Sequence, residues 1–149
     1  MTFFYHNQSP RTYSMVYLLL FFLACLNFYT ETLADVPYAV AYCDFPPSPF
    51  RAVVGRVTFT QYQDATTLVT GQCNTGFNDS DPSHYRWTIS LYYDLTPFVD
   101  YSVNSPGTSA FQARVDDLPL TGEESVVGTR MRVFYNDQVI GRCDITRIG

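Results

Sequence analysis

An all-β domain, built as an antiparallel sandwich or Greek-key barrel, is what residues 35–149 predict. Three observations carry this. No window there sustains the 3.6-residue apolar period of a helix. Short β-branched and aromatic runs recur instead between clusters of Pro, Gly, Asn and Asp. The turn signals return at roughly ten-residue intervals, the spacing of a many-stranded antiparallel sheet.

Eight strands are predicted, near 37–44, 53–61, 66–74, 84–93, 98–103, 109–115, 125–135 and 138–147. The first is "PYAVAYCD", ended by the proline-rich "FPPSPF"; the second is "VVGRVTFTQ" and the third "TTLVTGQCN". A polar stretch, "NTGFNDSDPSH", then reads as an exposed loop. The fourth, "HYRWTISLYYD", alternates cleanly, with Trp87, Ile89 and Leu91 on an inner face and Thr88 and Ser90 on the other. Only a few residues around Pro97 separate it from "FVDYSV", which is followed by "SAFQARV". The last two, "SVVGTRMRVFY" and "QVIGRCDITR", are joined through Asn136 and Asp137, residue types that tolerate the positive φ of a tight hairpin.

Residues 1–34 read as a secretory signal peptide rather than as part of this domain. The apolar run "MVYLLLFFLACLNF" is followed by polar "YTETLAD", with Thr32 and Ala34 placed like the small residues of a cleavage site. An uncleaved anchor is the alternative, but Asn27 interrupts the run, which is shorter than the ~20 residues of a bilayer span. The chain is therefore expected to be secreted, with no membrane span after cleavage. All nine basic residues are arginine against fourteen acidic ones, a net charge of −5, which disfavours a nucleic-acid partner. Cys43, Cys73 and Cys143 remain after cleavage, enough for one disulfide and one thiol in an oxidising compartment. Asn78-Asp79-Ser80 is an N-glycosylation sequon in the exposed loop.

Three stretches together resemble the copper/zinc superoxide dismutases, a Greek-key β-barrel family. "VVGRVTFTQ" places Gly55, Val57, Phe59 and Gln61 in the family's G-x-[IV]-x-F-x-Q pattern, after "YAVAYC" as its first strand. "LTGEESVVGTRMRVFYN" resembles the L-S-G-x-x-S-[IV]-[IV]-G-R-x-[LV]-V-V-H segment at Leu120, Gly122, Ser125, Val126, Val127, Gly128 and Val133. "IGRCDI" resembles the R-[LIV]-A-C-G-V-I of the last strand, which sets Cys143 on the family's strand cysteine. The resemblance spans nearly all of residues 37–149 and implies an eight-stranded antiparallel barrel or sandwich with shortened metal and electrostatic loops.

On this match the fourth strand falls on the family's G-F-H-V-H-x-F-G-D strand, whose histidines hold copper. The copper positions become Thr88 and Ser90, and that of the histidine ending the seventh strand becomes Phe134. A hydroxyl is a poor copper ligand beside the imidazole this metal favours. The loop bearing the zinc ligands has shrunk to about "DLTPFV", and the guiding loop to the Asn136-Asp137 turn, with its arginine aligned only to Ile140. No cofactor and no catalytic residue are therefore expected. His84 with Asp79, Asp81 or Asp94 reads as a solvated turn before it reads as a metal or acid–base site, and Thr88 and Ser90 lack the adjacent base a nucleophile needs.

The family's zinc-loop cysteine is missing, and its extracellular members carry a bridge between first and last strands. The resemblance thus implies Cys43–Cys143, with Cys73–Cys143 as the competing pair. Tyr92, Tyr93, Phe98, Tyr101 and Tyr135 gather in sequence near the former copper face, either as core and plugs or as a contact surface. The expected function is that of a secreted, non-catalytic binding or structural protein, acting on an unknown protein partner or on itself. Two other readings stand beside it: a residual superoxide dismutase or metal-binding protein, and an immunoglobulin-like adhesion sandwich, for which Cys73, Trp87 and Cys143 follow the right order.

Overall fold

Strict alternation of apolar and polar side chains drives the first three strands into a meander. In the computed structural model, β1 (Pro37–Phe45), β2 (Val54–Tyr62) and β3 (Thr67–Thr75) bury Ala41, Cys43, Val57, Phe59, Val69 and Cys73, and leave their alternate residues outside. Residues 37–91 and 93–149 are described; the signal-peptide expectation over 1–34 and Tyr92 lie outside the described residues. Gly55 sits where β2 crosses β3 so closely that a Cβ would strike the Gln72 carbonyl, which accounts for glycine in the G-x-[IV] pattern.

The polar loop ends in a single 3-10 turn, Pro82–His84, capped by the Asp81 carboxylate on the Ser83 N–H (2.9 Å). β4 (Tyr85–Ile89) follows, then β5 (Tyr93–Asp94), β6 (Val103–Asn104), β7 (Gly107–Thr108), β8 (Phe111–Val115), β9 (Arg130–Tyr135), β10 (Gln138–Asp144) and β11 (Thr146–Arg147). One sheet has the order β11-β1-β2-β3-β8, the other β10-β9-β4-β5, and β6 and β7 form a small hairpin. β3 lies beside β8 although β4 to β7 intervene in the chain, which is the Greek-key crossover. The two sheets enclose one core, with Trp87, Phe59, Phe77, Ile89, Leu95 and Met131 among its fully buried side chains. Among the described residues no hydrogen-bond ladder joins them, so the barrel is open.

Four strand expectations need correction. The strand over 84–93 stops at Ile89, because Ser90 takes a left-handed backbone (φ 56°), its N–H bonds the Arg130 carbonyl (2.8 Å), and Leu91 emerges 80% exposed instead of entering the core. No strand forms over 98–102, and only Val103 of the predicted 98–103 belongs to a strand, the short β6. The Asp94 carboxylate accepts from the Thr96 N–H (2.9 Å) and hydroxyl (2.6 Å), and the Leu95 carbonyl takes the N–H groups of Phe98 and Val99, a turn that buries Leu95 and Val99. Residues 125–129 form a loop before β9, with the Ser125 hydroxyl accepting from Val127 N–H (3.1 Å) and Gly128 at φ 83°. The strand over 138–147 breaks at buried Ile145, where the chain leaves one sheet for the other: β10 pairs with β9, β11 with β1.

The two-residue hairpin is as expected, with Asn136 at φ 45° and Asp137 at φ 64°. Cys43 of β1 and Cys143 of β10 form the disulfide, Cα atoms 5.5 Å apart, tying the sheets together. Cys73 is a buried thiol, its pKa pushed up to about 12 by desolvation. The competing Cys73–Cys143 pair does not form, so the Cys…Trp…Cys bridge that suggested an immunoglobulin-like sandwich is missing. Trp87 packs on Phe77, Tyr101 and Phe111, with ring centroids at 5.7, 5.8 and 5.4 Å, and the bridge links other strands. Buried polar groups are paired: the Thr67 hydroxyl donates to the Leu118 carbonyl (2.7 Å), and Gln61 Oε1 accepts from Leu120 N–H (3.0 Å).

Candidate functional site

Because β-strand side chains alternate, burial of Trp87, Ile89, Met131, Val133 and Cys143 fixes what the outer face of the four-stranded sheet must carry. One row across it runs Arg142, Arg132, Thr88, Asp94; a second pairs Asp144 with Arg130; a third pairs Val139 with Phe134 and Phe134 with Arg86. Thr88 is only 8% exposed although it lies on this face, walled in by its cross-strand neighbours. Phe134 is half-buried, with the Arg86 guanidinium 4.3 Å above its ring and a 3.4 Å contact from Arg86 to Asp137 at the rim.

These are the three positions at which copper-holding imidazoles were expected from the resemblance. Thr88 and Phe134 do share the face, while Ser90 has left the strand, and its carbonyl accepts from Arg132 Nη1 (2.8 Å). A hydroxyl, a turn serine and a phenyl ring under a guanidinium do not make a copper site. The donor set does not fit the metal.

A second cluster occupies the other end of β4. His84 Nδ1 lies 2.6 Å from Asp79 Oδ2, which also accepts from the Tyr135 hydroxyl (3.0 Å), and His84 Nε2 is 3.8 Å from Asp81. The hydrogen bond that the imidazole donates to the Asp79 carboxylate raises the His84 pKa. The Asp81 backbone N–H, then His84, lower that of Asp79. Asp94, by contrast, pairs with Thr88 and belongs to the turn around Thr96. The Tyr135 hydroxyl gives its proton to Asp79 rather than to the imidazole, so the cluster offers an ion pair and no activated nucleophile. Among the described residues, no three His, Cys, Asp or Glu are grouped to hold a metal ion. An open cleft of about 560 Å³ lies beside it, lined by Ala52, Asn78, Asp79, Tyr85, Tyr135 and Ile140.

The aromatic residues do not converge on one patch. The Tyr101 hydroxyl accepts from Trp87 Nε1 (3.1 Å), and its ring packs edge-on to Phe77 at 5.9 Å, inside the core. Tyr135 pairs with Tyr85 and Tyr93 with Ile89, four residues or about 13 Å apart along β4. Tyr93 is half-buried, its hydroxyl donating to the Asp116 carbonyl (2.8 Å), and Phe98 is 46% exposed. Asn78 is exposed at the rim of the cleft. What the sequence reading missed is the arginine row. The alternation in "TRMRV" puts Arg130 and Arg132 on one face, but only the register brings Arg142 across from them.

Among solved structures, the chain is similar to two single-residue variants of superoxide dismutase 5 from Candida albicans. One matches with a TM-score of 0.59 and 10% identity, covering 75% of this chain and 94% of the other. The second gives a TM-score of 0.60 and 9% identity, covering 76% and 94%. No family model matches the chain. No curated protein matches it in sequence. The fold is that of the copper/zinc superoxide dismutases, as the sequence motifs imply.

Proposed function

We propose that this chain is a secreted, non-catalytic binding or structural protein of the cell exterior, built on the superoxide dismutase barrel. The observation that carries the reading is the chemistry of the three former ligand positions. Thr88, Ser90 and Phe134 replace imidazoles, and Arg86 and Arg132 are hydrogen-bonded or stacked onto that face. Disproportionation of superoxide needs a redox-cycling metal, for which protein side chains are no substitute. A disulfide across the sheets suits an oxidising compartment, and the apolar leader and the exposed sequon at Asn78 accord with export.

The test is metal analysis and a superoxide assay on protein purified from the medium of expressing cells, with its N-terminus sequenced and its mass compared before and after glycan removal. The reading expects a start near Asp35, a glycan at Asn78, no stoichiometric copper and no activity. Copper at one equivalent with dismutase activity would overturn it.

A further inference from the structure

β9 and β10 break a rule kept elsewhere in the fold. Asp44 on β1 faces Arg56 on β2, and Asp144 on β10 faces Arg130 on β9 with a 2.7 Å bond, yet Arg142 on β10 faces Arg132 on β9 directly. Like charges placed opposite each other in an antiparallel pair are destabilising. Asp144 relieves the clash only in part, its carboxylate being bonded to Arg130 while also lying in the fields of Arg142 and Arg51. Arg132 spends one N–H on the neutral Ser90 carbonyl, and Asp144 is already held by Arg130. Arg142 is exposed and has no hydrogen bond or ion pair among the described residues. A further cation stands alongside: the N–H groups of Ala52 and Val53 bond the Ile140 carbonyl (3.0 and 3.3 Å), which lays Arg51 next to β10. Desolvation first, then the fields of Arg142 and Arg130, hold the Arg51 guanidinium below its ordinary pKa against the opposing pull of Asp144.

Arg51, Arg130 and Arg142 thus share the Asp144 carboxylate, with Arg132 beside them, on a protein whose net charge is −5. A fold that accepts such repulsion with so little local compensation is most economically explained by a partner that supplies further anions. Between β9 and β10 the connection is only the two-residue turn at Asn136 and Asp137, too short to fold back over the face.

We propose that the outer face around Arg51, Arg132 and Arg142 docks an extended acidic peptide segment of a partner protein. This names the surface and the partner chemistry for the binding role above, and rests on that reading. An extended peptide presents alternate side chains every ~6.6–6.8 Å, the same repeat that separates Arg130 from Arg132 along β9. Arg142 lies about 5 Å across the ladder from Arg132, so successive carboxylates find guanidiniums on both strands, each able to bind in bidentate fashion. The acidic remainder of the surface repels such a segment and directs it to this face.

The experiment measures fluorescence anisotropy of a labelled synthetic peptide of alternating Glu and Thr, at low and high salt. It compares the wild-type protein, the double variant Arg132→Gln/Arg142→Gln, and a control, Arg147→Gln, on the opposite sheet. The double variant is expected to bind roughly tenfold or more weakly. It should also lose most of the salt dependence, and the control should bind as wild type. Circular dichroism and a melting temperature at or above the wild-type value establish that the variants fold. Equal affinity of wild type and double variant overturns the proposal. So does a heparin oligosaccharide that binds more tightly than the peptide through the same arginines. An active, copper-loaded protein that still binds the peptide this way would refute the non-catalytic reading and leave the docking site standing; an inactive, copper-free protein indifferent to these arginines does the reverse.

Discussion

Replacing Cys43 and Cys143 together by alanine removes the one disulfide between the two sheets among the described residues. The bridge closes a separation of 100 residues, for which the chain-entropy relation gives about 4.7 kcal/mol at 25 °C. Both cysteines are buried, Cys43 completely and Cys143 at 6% exposure, so loss of the sulfur atoms adds a packing cost of its own. Cys73→Ala isolates that cost, because Cys73 is equally buried and unbridged. Urea unfolding followed by Trp87 fluorescence is the assay. With a denaturant slope near 2 kcal/mol/M the midpoint of the double variant should fall by about 2 M. The single variant should lose about 1 kcal/mol. The melting temperature should fall by roughly 15–25 °C. Against a typical total of about 5–15 kcal/mol, the reduced protein is left close to unfolding. The reasoning is refuted if the double variant loses no more than Cys73→Ala, or if a reductant leaves the wild-type midpoint unchanged.

Other perturbations address the core, the sheet face and the loop. Tyr101→Phe leaves the fully buried Trp87 indole N–H without its acceptor, and should cost about 1–3 kcal/mol in the same urea assay; a shift near zero would show that another acceptor serves it. Arg142→Gln relieves the repulsion with Arg132 and is expected to raise stability by about 0.2–1 kcal/mol, whereas a destabilised variant would mean that the pair is not repulsive. His84 should titrate above the ordinary histidine value of about 6.5 in an NMR titration, and Asp79→Asn should bring it down. Its contribution to stability is complete below the unfolded pKa and disappears as pH rises through the raised folded value. The Asp79 contribution, present above the ordinary carboxylate pKa, is lost as pH falls through its depressed value. An unaltered His84 titration in Asp79→Asn would contradict the pairing.

Much of the architecture was legible because it depends on period and local chemistry. Alternation placed β1, β2, β3 and β8 within a few residues of their observed bounds, and Asn136-Asp137 specified its own turn. The motif residues Gly55, Phe59 and Gln61 implied the dismutase fold, and that resemblance carried Cys43–Cys143 as well. Local reading failed where a side chain competes with the backbone or a single φ changes sign. Asp94 and Ser125 turned their predicted strands into loops, and Ser90 sent Leu91 out to solvent when alternation alone kept it inside.

The candidate site divides in the same way. That Thr88, Ser90 and Phe134 cannot serve copper followed from residue identity, because ligand chemistry resides in the side chain and needs no coordinates. The arginine face did not follow. Arg132 and Arg142 are ten residues apart, and whether they face each other or opposite sides depends on a register set by the hairpin turn and by an irregularity between Val139 and Gly141. A one-residue slip reverses every side chain of a strand, so the composition of a sheet face is a property of pairing. The sequence determined which side chains stand at the three matched positions in place of imidazoles; only the tertiary structure decided which charges stand together beside them.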